Sequence, residues 1–154
     1  MPLSSSLSAG ARSRIVNTSM NRKTGRHPDT ASALVRYHEG RLAFENGNFE
    51  EAAALLFEAA ALGPTAPMLE MLGESLIELG RLDQAVDHLA HATKAAPRSY
   101  RAFYLLGRAE RRRGRVSSSA RAFRRALAIN PHYRKAREEL DLLLPNCGEE
   151  LGEL

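Results

Sequence analysis

The chain has 154 residues, 44% of them apolar, with no Trp, one Cys and a formal net charge of +4. That length fits one domain, its core must be mostly Leu and Ala, and a lone Cys147 excludes an internal disulfide. No uninterrupted apolar run approaches the ~18 residues of a membrane-spanning helix. The charge is uneven: +4 over residues 1–29, −5 over 30–99, +9 over 100–139 and −4 over 140–154.

Residues 1–29 read as a flexible basic tail. They lack the apolar block of a secretory signal, although Arg and Ser with few acids also suit an organelle transit peptide. Met20 is an alternative start. Asp29 or Thr30 supplies a cap for the first of seven helices, expected over 31–46, 49–62, 66–79, 82–95, 100–113, 116–129 and 131–144 from apolar periodicity. Within the third and fourth, Leu69, Leu72, Gly73 and Leu76 mark one face, and Ala85, Leu89 and Ala92 another. The small residues allow close approach of two antiparallel helices, and Pro97 stops the second. Asn130-Pro131 predicts the start of the last helix, with Asn as cap and Pro at the first helical position. Ala136, Leu140 and Leu143 give that helix one apolar face, Pro145 ends it, and residues 146–154 form an acidic tail.

The organisation is repetitive. Gly40, Gly73 and Gly107 are spaced 33 and 34 residues apart, and so are Gly47, Gly80 and Gly114. Leu56, Leu89 and Phe123 keep the same register, as do Ala59, Ala92 and Ala126, and Pro64, Pro97 and Pro131. This pattern resembles the tetratricopeptide repeat, a helix-turn-helix of ~34 residues. The signature places are held in copy two by Leu69, Leu72-Gly73, Ala85, Leu89, Ala92 and Pro97. In copy three they are held by Phe103, Leu106-Gly107, Ser119, Phe123, Ala126 and Pro131. Copy one keeps Gly40, Ala52, Leu56, Ala59 and Pro64, but Arg36 and Glu39 stand at its two large apolar places. The resemblance implies an all-α solenoid of three helix-turn-helix repeats (about 33–65, 66–99 and 100–133) plus a C-terminal capping helix over 131–144, within a domain of residues 30–145.

It also implies a concave groove lined by the first helix of each repeat. By register, its candidate contacts are Tyr37, Arg41 and Phe44 in copy one, and Glu70, Met71, Glu74 and Ile77 in copy two. Copy three supplies Arg101, Tyr104, Leu105, Arg108 and Arg112. Glu70, Glu74 and Glu78 recur every four residues and form one stripe. Side-by-side first helices put Glu74 opposite Arg108 and Glu78 opposite Arg112, a placement that either neutralises the pairs or orients a charged peptide. Family members that grip acidic chaperone C-termini use Lys, Asn, Asn, Lys and Arg at places that here hold Tyr37, Arg41, Met71, Arg101 and Leu105. Only Arg101 and Arg41 suit such a part, and the apolar Met71 and Leu105 cannot ligate a carboxylate, so that function is not expected.

No constellation points to catalysis. His88 and His91 share a helix face, but no further ligand completes a zinc site. Ser117-Ser118-Ser119 opens a helix without a base partner, and nothing near Cys147 would activate a thiol. No metal and no cofactor are expected. The expected role is a non-enzymatic, cytoplasmic module (adaptor, scaffold or chaperone-like) that binds a peptide or helix segment of another protein. The alternative is a binder of polyanions, nucleic acid or acidic lipid, through the Arg-rich third copy.

Overall fold

The computed structural model describes residues 28–145. Both tails, with Met20 and Cys147, lie outside the described residues. Seven helices follow one another: α1 (Pro28–Glu45), α2 (Phe49–Leu62), α3 (Ala66–Glu78), α4 (Leu82–Ala95), α5 (Tyr100–Arg112), α6 (Val116–Ile129) and α7 (Arg134–Leu143). Among the described residues there is no strand, and no helix is long and apolar enough to cross a membrane. Each helix packs on the next, and the first helices of neighbouring copies, α1, α3 and α5, also touch.

The turn inside each pair is set by glycine. Gly47, Gly80 and Gly114 have φ of 78°, 76° and 78°, a conformation open to residues without a Cβ. In copy two Arg81 donates to the Leu76 carbonyl at 2.9 Å and Gly80 to that of Ile77 at 3.0 Å. These two bonds satisfy carbonyls that the helix end leaves free. Copies one and three repeat them, with Asn48 donating to Ala43 and Arg115 to Glu110.

The other glycine set acts between helices. A Cβ on Gly73 would lie 2.4 Å from Leu89 Cγ, and one on Gly107 would lie 2.5 Å from Phe123 Cε1. The partner side chain therefore occupies the space that a methyl would take. The central core joins the copies through Leu56, Leu72, Leu76, Ile77, Leu89 and Leu105. Phe123, Ala126 and Ala136 form a second cluster, with Leu140 and Leu143 packed against it, so α7 covers the end of copy three as expected.

Two local expectations change. The first helix begins at Pro28, so Asp29 lies in its first turn rather than at its cap. The last helix begins at Arg134, not Pro131. Asn130 Oδ1 accepts from the His132 amide at 3.2 Å, which folds Asn130-Pro131-His132 into a turn. Pro97-Arg98 makes the same turn one copy earlier, so the repeat's own register outweighs the dipeptide signal. Arg36 and Glu39 pair with each other at 3.0 Å, and Arg36 reaches Glu58 at 3.2 Å. The equivalent Leu69 packs with Ala60 of the preceding copy. Copy one has no preceding pair among the described residues, so a charged residue is tolerated there.

Candidate functional site

The face built by α1, α3 and α5 carries an ion-pair ladder. Arg101 Nη2 lies 2.9 Å from Glu74 and Arg101 Nε 3.8 Å from Glu70. Arg108 contacts Glu74 at 3.5 Å and Glu78 at 3.0 Å. Ser99 Oγ donates to Glu70 at 2.6 Å while accepting from the Ala102 amide, capping α5 and tying it to α3. Arg111 pairs with Glu139 of α7. The Glu74–Arg108 pairing is the expected one. Glu78 instead meets Arg108, one turn from the Arg112 assigned to it, and Arg112 donates to the Ile77 carbonyl. Solvent-accessible surface pairs contribute about 0–1 kcal/mol each, and in these the Glu70, Glu74 and Arg108 side chains are partly covered. Their larger effect is to cancel the charge of both stripes.

Two of the twelve groove candidates belong to the core. Ile77 and Leu105 are 0% and 1% exposed and pack in the central cluster, out of reach of a partner. Tyr104 is half-buried, its ring 5.9 Å from Phe123 and 5.1 Å from Tyr133, with Arg108 6.0 Å above it. Burial raises its hydroxyl pKa, with Arg108 pulling the other way. Tyr133 is raised too, by burial first and then by Tyr104. This end of the face holds an aromatic cluster beside the start of α7. At the opposite end Tyr37, Phe44 and Met71 are half-buried, and Arg41 is exposed and pairs weakly with Glu45 at 3.7 Å.

The face of the second helices holds features that the groove register did not single out. One trough, of about 460 Å³, is floored by Leu72 and Leu76 and walled by Phe57, Gln84, Asp87 and His88. A second, of about 340 Å³, is lined by Leu106, Glu110, Ser118, Arg121 and Ala122, together with Phe103 and Arg125. The first five stand 34 residues beyond Leu72, Leu76, Gln84, Asp87 and His88. The two troughs are therefore copies of one another, a relation already visible in the spacing. Among the described residues, no group of three or more His, Cys, Asp or Glu is placed to hold a metal ion.

His88 meets the edge of Phe57 at 6.0 Å between centroids. Burial lowers its pKa, against the pull of the Asp87 carboxylate and with a further push from His91. The folded state thus favours neutral His88, and the unfolded chain binds the extra proton first. Stability should fall as the pH drops below the ordinary histidine value of about 6.5, and level off below the depressed folded-state value. Melting temperatures measured from pH 8 to 5 should show a shallower acid slope for His88→Gln. An unchanged slope would remove His88 as the cause.

Comparison with known proteins agrees with this geometry. The Arabidopsis OM64 TPR domain superposes with a TM-score of 0.74 at 21% identity, covering 77% of this chain and 98% of that one. The first TPR of Spaghetti (RPAP3), bound to the HSP90 peptide SRMEEVD, gives 0.73 at 17% identity, covering 78% and 96%. MamA gives 0.72 at 20%, covering 75% and 68%. Curated protein sequences give no significant match. At these identities the likeness shows the fold alone. The sequence profile of the tetratricopeptide repeat matches residues 24–67 and 70–140. Three helix pairs in that register, closed by α7, place the chain in the tetratricopeptide repeat family, whose domains typically mediate protein–protein interactions.

Proposed function

We propose that this protein is a non-enzymatic interaction module that binds a peptide segment of a partner across α1 and α3, with Tyr37, Phe44 and Met71 as apolar contacts and Arg41 beside them. The observation that carries this reading is the contrast along the first-helix face. Its α3–α5 half is cross-linked by the Glu70–Arg101–Glu74–Arg108–Glu78 ladder. Its α1–α3 half leaves partly exposed apolar surface with one loosely held cation. A partner gains most where aromatic and Met side chains lose water, and least where it must break existing ion pairs. The peptide that fits is apolar-anchored rather than a run of carboxylates. An acidic C-terminus of the kind bound by the RPAP3 domain would find cations at two of the five places, Arg41 and an Arg101 already paired with Glu70 and Glu74, and Tyr37, Met71 and the buried Leu105 at the other three.

Panning a peptide library on the full chain, followed by titration of the selected peptides, tests this. Tyr37→Ala with Met71→Ala should weaken binding by about tenfold or more, the scale of losing anchors worth over ~1 kcal/mol each. Helicity should be retained. Arg124→Ala with Arg125→Ala, on α6, should leave binding unchanged. If the arginine pair removes binding and the Tyr37/Met71 pair does not, the groove is not the site.

A further inference from the structure

The arginines of the third copy fall into two groups. Those on α5 and its end are engaged: Arg101, Arg108 and Arg111 with carboxylates, Arg112 with a carbonyl, and Arg113 with Asp83 at 2.8 Å and with Glu110 at 3.4 Å. Arg115, Arg121, Arg124 and Arg125 are exposed. None of these four has a carboxylate within ion-pair distance among the described residues. Arg121 and Arg125 stand one turn apart on α6 at the rim of the 340 Å³ trough, and Arg125 lies 5.7 Å over the Phe103 ring. The floor beneath them is Phe103, Leu106 and Ala122. Glu110, the carboxylate in the lining, is 8% exposed and already compensated by Arg113.

We infer that this trough on the second-helix face is a separate docking site for an acidic, leucine-bearing peptide segment of a partner protein. An apolar side chain would fill the space over Leu106 and Ala122, and flanking carboxylates would meet Arg121 and Arg125. The two halves of the site each select. Unpaired guanidiniums favour carboxylate or phosphate and bind either through a fork of donors. The apolar floor gains nothing from a phosphate backbone. A single-stranded nucleic acid would need an aromatic face for stacking, and Arg125 covers that of Phe103. The copy-two trough has Asp87 and His88 where this one has Arg121 and Ala122, so its charge does not suit the same segment. The inference does not depend on the α1–α3 groove.

Fluorescence polarisation with the full chain tests it, using a labelled ten-residue peptide of alternating Leu and Glu-Glu units. An all-Glu peptide and heparin serve as competing probes. The Leu/Glu peptide should bind and should displace poorly with all-Glu. Its affinity should fall by about tenfold or more in Arg121→Glu/Arg125→Glu, recover partly in Arg121→Lys/Arg125→Lys, and stay unchanged in Tyr37→Ala/Met71→Ala. Equal binding of the all-Glu peptide or heparin would reduce the site to a charged surface and overturn the inference. No binding would overturn it as well. Neutralising Glu149, Glu150 and Glu153 to Gln in the full chain should leave the affinity unchanged. A tenfold rise would show that the chain's own acidic tail occupies the trough, which would reject a partner as the intended occupant.

Discussion

Phe123→Ala is expected to cost about 3–5 kcal/mol, the range for removing a fully buried aromatic from a core. Phe123 is completely buried. It lies against Gly107 of α5, faces Tyr104 at 5.9 Å, and shares a cluster with Ala126 and Ala136. The other buried side chains of α6 are Ala and Ser, so none on that helix can expand into the void. Stability in stacked repeats is a sum of local units and their interfaces. The loss should therefore appear first in α6 and α7. Chemical denaturation would give the magnitude, and hydrogen exchange should show α6 and α7 amides losing protection before those of α1–α4. A change below about 1 kcal/mol would mean that Phe123 is not the keystone of this end.

Gly73→Ala should also destabilise, although helix propensity argues the other way. On an exposed helix position, Gly to Ala gains up to about 1 kcal/mol. Here the new Cβ would sit 2.4, 2.5 and 2.9 Å from three carbons of Leu89. Overpacking of that kind costs about 1–3 kcal/mol, so the clash should win. Gly40→Ala should cost less, because its closest contact with Leu56 is 2.8 Å. In the background of Leu89→Ala the same Gly73 substitution should become neutral or favourable. That coupling is what a double-mutant cycle measures. A stabilised Gly73→Ala single variant would show that α3 and α4 do not cross this closely.

The repeat architecture is legible in the residues because it rests on local rules. Apolar spacing marks each helix, and the gaps at Gly47, Gly80 and Gly114 mark each turn. One turn was misread where two local rules competed. Asn130-Pro131 looks like a helix start by itself, whereas the copy-two precedent at Pro97 and Ser99 places it in a turn before Arg134. The site was legible in outline only. A first-helix face could be assigned from register, yet Tyr104 packs against Tyr133 at the start of α7, which no pattern within α5 announces.

By itself, the sequence determined the helix order, the three-copy register, the two classes of glycine and the opposite charges of α3 and α5. Each of these follows from spacing within one segment or from identity between copies. Tertiary structure alone decided where the core stops and the surface begins. Ile77 and Leu105 share a periodicity with accessible neighbours, and only their packing in the cluster shared by α1–α5 buries them. It also decided that Arg108 bridges Glu74 and Glu78, since the axial offset between two helices is written in neither helix. Last, it separated the engaged arginines of α5 from the unpaired ones on α6. Partners for the first group come from α3, α4 and α7, segments that only folding brings beside them.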